Sequence, residues 1–159
     1  MSGRKVPVLA ALFPAIREAM EIAGSFELTA TGASMEPFLM GGRDRVALVP
    51  ADARPVRRGD ILLFQRDSGA FVLHRVRDVG PDGSMRIVGD AQYACESVRR
   101  DQIRAIVKSC VRDGRRIDCE RGSIRALMTA RMLARTRFPR AARLFHRACR
   151  FARRAISPQ

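Results

Sequence analysis

At 159 residues the chain is long enough to bury one core with appendages and too short for two full domains. Its apolar fraction of 47% is ordinary for a globular protein, and its eight prolines and twelve glycines are scattered among turn signals, which excludes a low-complexity or repeat architecture. Lysine and arginine number 30 against 16 acidic residues, and the resulting net charge of +14 places anionic surfaces among the partners to weigh.

Leu9, Leu12, Phe13, Ile16, Met20 and Ala23 recur at helical spacing with Gly24 as a stop, so a helix is predicted over residues 8 to 23. The apolar run from Val6 to Ile16 is interrupted by Pro14 and followed by Arg17, Glu18 and Glu21. It falls short of the roughly twenty residues of a membrane span and reads as a helix of the domain rather than a signal peptide or anchor. Residues 26 to 31 alternate as a strand, a turn carries Ser34, and Gly41-Gly42 leads to a second strand at 45 to 49.

Past a proline- and arginine-containing loop at 50 to 58, residues 60 to 65 and 70 to 79 are predicted to form a hairpin around Asp67-Ser68-Gly69. Later strands follow at 85 to 88 and 103 to 111, with Asp113-Gly114 turning the chain toward Arg116 and Ile117. Short strands with turns at this spacing predict an α+β, β-rich fold, either a coiled antiparallel sheet or a partly open barrel. The expected organisation is an N-terminal helix (1–24), a central domain (25–119) and a basic amphipathic tail (120–159).

That tail has its own texture. Ile124, Leu127, Met128, Met132 and Leu133 make one helical stripe; after the Phe138-Pro139 break, Leu144, Phe145, Ala148, Phe151 and Ala152 make another. From Arg121 onward there are eleven arginines and no Asp or Glu. Such helices either pack on the domain through the apolar stripe or lie on an anionic membrane surface. With no Trp and one Tyr, stacking on single-stranded nucleic acid has little support.

The chemistry-bearing stretch is Thr-Gly-Ala-Ser-Met-Glu-Pro-Phe-Leu, residues 31 to 39, which sets Ser34 on a turn between a strand and a proline. A serine hydroxyl attacks an amide only with a base in reach, and His74, mid-strand in Phe-Val-Leu-His-Arg-Val, is the candidate base. A carboxylate on the second ring nitrogen fixes the tautomer. Asp90 of Ile-Val-Gly-Asp is the leading candidate for that role and Glu96 the second. Taken singly, Ser34 reads as a turn residue, His74 as a core histidine and Asp90 as part of a Gly-Asp turn.

Four segments, Gly-Ala-Ser-Met-Glu-Pro (32–37), Arg-Arg-Gly-Asp-Ile-Leu-Leu-Phe (57–64), Val-Leu-His-Arg-Val (72–76) and Val-Gly-Asp (88–90), resemble the signal peptidase I family and its relatives in that family's order. The resemblance covers about residues 25 to 110. It implies a serine endopeptidase that cleaves a leader or exported precursor peptide without a cofactor or metal, with Ser34 as nucleophile and the Ser34 backbone N–H in the oxyanion hole.

The resemblance also implies His74 as base, as in the endoplasmic-reticulum and archaeal branch; the only lysines, Lys5 and Lys108, lie outside the segment where the bacterial lysine base falls. Many family members carry a serine two positions before the nucleophile, where this chain has Gly32, so Thr31 or another backbone N–H is expected to supply the missing donor.

Two alternatives accompany this reading. One is a non-catalytic basic adaptor of the same fold that binds anionic membrane or nucleic acid. The other is a self-cleaving repressor of the LexA type, disfavoured because about thirty residues before Ser34 are too few for a helix-turn-helix module. The expected partners are a peptide or precursor protein and, through residues 121–159, an anionic membrane. The expected location is cytoplasmic or peripheral to a membrane, without a transmembrane helix. Cys95, Cys110, Cys119 and Cys149 lack metal-ligand spacing and are expected to be reduced thiols.

Overall fold

The computed structural model describes residues 8–138, so the second apolar stripe of the tail lies outside the described residues. Helix α1, Val8–Ala23, follows the predicted periodicity: Phe13, Ile16 and Met20 are buried, and the helix stops before Gly24. The strands are β1 (Phe26–Thr29), β2 (Arg45–Pro50), β3 (Ile61–Gln65), β4 (Phe71–Val79), β5 (Met85–Val88), β6 (Glu96–Val98), β7 (Ile103–Arg112) and β8 (Arg115–Asp118). Helix α2, Gly122–Arg137, ends the described chain.

These eight strands form one antiparallel sheet in the order β1-β2-β7-β3-β4-β5-β6, with β8 also paired to β7, and the sheet does not close on itself. Helices and an antiparallel sheet together make the fold α+β. Along one edge of β7, β3 occupies the Ile103–Ile106 end and β8 the Ser109–Arg112 end. β6 was not expected from the sequence: three residues are too few for alternation to show.

β3 explains the layering. Successive strand residues face opposite ways, and Ile61 to Phe64 are all buried, so this strand is covered on both faces. Ile61 and Leu63 join a cluster with Phe13, Ile16, Met20, Leu39, Leu48 and Val107, where α1 packs. Leu62 and Phe64 join a second cluster with Val76, Ile87, Val98 and Ile106.

Part of the α2 stripe packs on the domain: Met132 is buried, and Ile124 and Met128 pack against the α1-side cluster, while Leu127 stays 61% exposed. Among the described residues no helix is long and apolar enough to cross a membrane. Cys95, Cys110 and Cys119 are free thiols, the last two buried.

Candidate active site

The turn that carries Ser34 is built from its flanks. Met35, Phe38 and Leu39 are buried, so the chain is nailed to the core on one side while Ser34 itself stays half-buried. Asp44 braces the far end of the loop from a fully buried position. It accepts from Arg112 Nη2 at 2.7 Å, Arg43 Nε at 2.8 Å and the Met40 N–H at 3.0 Å. Burial alone would raise this carboxyl, but those three donors overcome it and hold it well below the ordinary carboxylate range. The same Arg112 donates to the Phe38 carbonyl, so one guanidinium ties the loop to the end of β7.

Gly32 stands at φ +75°, in the left-handed region, with open space where a side chain would go. A serine there would have room, but its backbone would be strained by about 1 kcal/mol. The departure from the family's serine thus has a conformational reason in this loop.

His74 lies in the middle of β4, opposite Leu62 of β3, with its ring 6.0 Å from that of Phe64. Its Nδ1 is 2.8 Å from Oε1 of Glu96 on β6. An ionised carboxylate only accepts, so the neutral ring carries its proton on Nδ1 and leaves its lone pair on Nε2. Arg66, in the β3–β4 turn, grips Glu96 from the other side, its Nε and Nη2 each 2.8 Å from a carboxylate oxygen.

Burial pushes the Glu96 carboxyl up, but the bonds and charge of Arg66, and then His74, overcome this and leave it below its ordinary value. Burial lowers the His74 imidazole, against the opposite pull of Glu96, so the ring is neutral at neutral pH.

Sequence reasoning ranks Asp90 ahead of Glu96 as partner of His74; the structure puts Glu96 there. Strand parity is the reason. Val76 of β4 faces Ile87, and Ile87 faces Glu96 of β6, so Glu96 shares the sheet face of Val76 and of His74 two residues before it. Arg75 faces Val88 on the opposite side.

Asp90, two residues beyond Val88, pairs with Arg75 through bonds of 2.8 and 2.7 Å. Arg75 also donates to the Gly59 carbonyl at 2.8 Å and lies 4.9 Å from the centre of the Phe38 ring. Asp90 therefore helps hold the Ser34 loop in place through Arg75 and Phe38, not the histidine.

The two halves of the site meet at Gly89. A Cβ there would lie 2.6 Å from the Ser34 carbonyl, 3.0 Å from His74 Nε2 and 3.1 Å from Gln92 Oε1. The Ala91 N–H donates to that same Ser34 carbonyl at 2.7 Å. Ser34 and His74 line one groove of about 520 Å³ together with Thr31, Arg66 and Gln92, walled by Leu9, Leu28, Phe71 and Leu73. The hydrogen bond found for the ring is the one to Glu96, which keeps Nδ1 engaged and Nε2 beside the serine's main chain.

Arg66, Gln92 and Arg75 were missed from sequence; the signal for Arg75 was its place beside His74 in Leu-His-Arg-Val. Compared with known proteins, the chain matches no family model and no curated sequence.

Proposed function

We propose that this chain is a serine endopeptidase resembling the signal peptidase I family, with Ser34 as nucleophile, His74 as general base and Glu96 as the group that orients the base. The observation that supports it most is the convergence at Gly89 of the Ser34 main chain and His74 Nε2, with Nδ1 held by a carboxylate. In this reading Nε2 accepts the Ser34 proton as Oγ attacks the peptide carbonyl, then returns it to the leaving amine. Glu96 stabilises the transient imidazolium, and the Ser34 backbone N–H contributes to holding the oxyanion.

The substrate is an extended leader or precursor peptide. It has a strand edge to join, since among the described residues β1 is paired on the β2 side alone. Leu9, Leu28 and Phe71 give the groove an apolar wall for its side chains. The exposed arginines Arg131 and Arg137 of α2, with Arg121 just before it, support peripheral contact with an anionic membrane.

The decisive experiment is labelling of the purified chain with a fluorophosphonate, followed by mapping of the adduct. Modification of Ser34 that disappears in Ser34→Ala and His74→Ala supports the peptidase. A chain that stays unlabelled and cleaves no peptide would instead favour the non-catalytic adaptor, the reading that the hydroxyl-free Gly32 speaks for.

A further inference from the structure

The loop that carries Asp90 is clamped from outside the sheet. The Asp90 and Ala91 carbonyls accept from Nη1 and Nη2 of Arg135, the α2 residue that is 8% exposed. The Arg135 guanidinium carbon stands 4.5 Å from the centre of the Tyr93 ring. Arg135 has no carboxylate within ion-pair distance among the described residues, and its Nε is buried without a partner. A buried guanidinium that spends its donors on two main-chain carbonyls and an aromatic face is costly to keep, and its planar fork fixes the geometry of what it grips.

Ala91 is the residue whose N–H holds the Ser34 carbonyl at 2.7 Å. Arg135 is thus two hydrogen bonds away from the serine main chain, through a single residue. The helix is seated for this purpose at a second point. A Cβ at Gly59 would fall 2.4 Å or 2.7 Å from the Thr129 and Arg125 side chains, so α2 lies directly on Gly59. The Gly59 carbonyl accepts from Arg75, and Arg75 chelates the Asp90 carboxylate. The 90–93 loop is therefore held at its carboxylate through Arg75 and at its carbonyls through Arg135.

We propose that Arg135 is a positioning residue for Ser34: by clamping the 90–93 loop, α2 sets the Ala91 amide on which the serine main chain hangs. The basic tail is on this account part of the catalytic assembly as well as a surface for partners. The proposal rests on the serine peptidase reading. It acts mainly on the chemical step, because of residues 90–93 Gln92 alone lines the groove, and Arg135 grips the Asp90 and Ala91 carbonyls.

The test uses the full chain carrying Arg135→Gln and Arg135→Lys, with Arg115→Gln on exposed β8 as a control of equal charge. Cleavage of a short soluble peptide gives kcat and KM, and hydrogen exchange gives the protection of the Ala91 amide. Expected for Arg135→Gln is a kcat lower by about ten- to a hundredfold with KM within about twofold, matching the loss that a small misplacement produces. Ala91 protection falls with it while the β3 and β7 amides keep theirs.

Arg135→Lys, which keeps the charge and loses the fork, falls between the two and serves as the measurement if Arg135→Gln does not fold. Wild-type kcat in either Arg135 variant, or a lower kcat with Ala91 protection unchanged, overturns the proposal. Failure of the peptidase reading shows separately, as a wild-type chain that neither labels nor cleaves.

Discussion

Arg66 and Glu96 are joined through both carboxylate oxygens, at 2.8 Å each, and one of those oxygens also accepts from His74 Nδ1. An arginine that lines the groove therefore helps to keep ionised the carboxylate to which His74 donates. It acts on the imidazole as well, since a positive charge nearby disfavours the imidazolium.

From this follows a pH prediction. In the proposed peptidase the active base is neutral His74, held below its ordinary value of 6.5 chiefly by burial, so kcat/KM should be level at neutral pH and fall with unit slope below an apparent pKa under 6.5. In Arg66→Met the cation that depresses His74 is gone, the imidazole pKa rises, and the acid limb moves to higher pH. A limb that stays in place or moves down would show that Arg66 does not act on the base.

Stability shares the sign. A histidine lowered in the folded state contributes fully above its unfolded value, and that contribution is lost as pH falls below 6.5 toward the folded pKa. Glu96, also lowered, contributes above its ordinary 4.5 and loses its share as pH falls through the folded value. Denaturant midpoints between pH 7 and 4 should decline more steeply in the wild type than in His74→Gln.

The two carboxylates should separate cleanly by experiment. Glu96→Gln removes the charge that stabilises the imidazolium and adds an N–H that can face Nδ1 and favour the wrong tautomer, so turnover should fall by about a hundredfold or more with little loss of stability. Asp90→Asn breaks a nearly buried ion pair, with side chains of Arg75 and Asp90 only 3% and 8% exposed, and should cost about 3 kcal/mol of stability. Its effect on turnover should be the smaller of the two. The reverse pattern in paired denaturation and kinetic measurements would return the orienting role to Asp90.

The Asp90–Glu96 order shows where sequence reading stops. Each element with five or more residues was legible, α1 from its 3.6-residue period and β2, β3, β4 and β7, within two residues, as short apolar or alternating runs punctuated by turn residues. The Ser34 turn and the His74 strand were legible for the same reason. The choice of carboxylate depended on the register of β4 on β5 and on β6, and the bulge between Val76 and Asp78 breaks that register. With β6 three residues long and its pairing unread, nothing placed Glu96 on the histidine's face. Arg66 was out of reach among thirty basic residues, since what distinguishes it is a partner far along the chain, whereas Arg75 had only its place beside His74 to mark it.

Gly89 is the position where the Ser34 loop and the His74 ring together leave no room for a side chain. It carries no backbone constraint that requires glycine, yet a single methyl would stand 2.6 Å from the Ser34 carbonyl and 3.0 Å from His74 Nε2. Contacts that short must be relieved by displacement, and the parts that yield are the Ser34 loop and the His74 ring. Gly89→Ala should lower kcat by about a hundredfold, the loss expected from a shift near 1 Å, while a melting scan shows a modest change. Retention of near-wild-type turnover would mean that the serine and histidine do not work through this close approach.

α2 is a structural part of the fold as well as a source of charge. Deleting residues 121–159 would remove Met132 from the core and Arg135 from the loop behind Ser34, so a loss of cleavage would follow whatever the tail binds. Exposed charge is the better handle. Arg131 and Arg137 along the helix and Arg121 just before it are exposed, and no acidic residue follows Arg121 in the chain to offset them. Each basic residue near an anionic lipid surface contributes about 1 kcal/mol, so Arg121→Gln/Arg131→Gln/Arg137→Gln should weaken binding to phosphatidylserine-containing vesicles by about a hundredfold at low salt. The difference should shrink as salt shortens the Debye length. Cleavage of a short soluble peptide should be unchanged, because these three exposed side chains are not among those that line the groove. Unaltered vesicle binding in the triple variant, or tighter binding of the wild type to duplex DNA than to vesicles at matched salt, would remove the membrane from its set of partners.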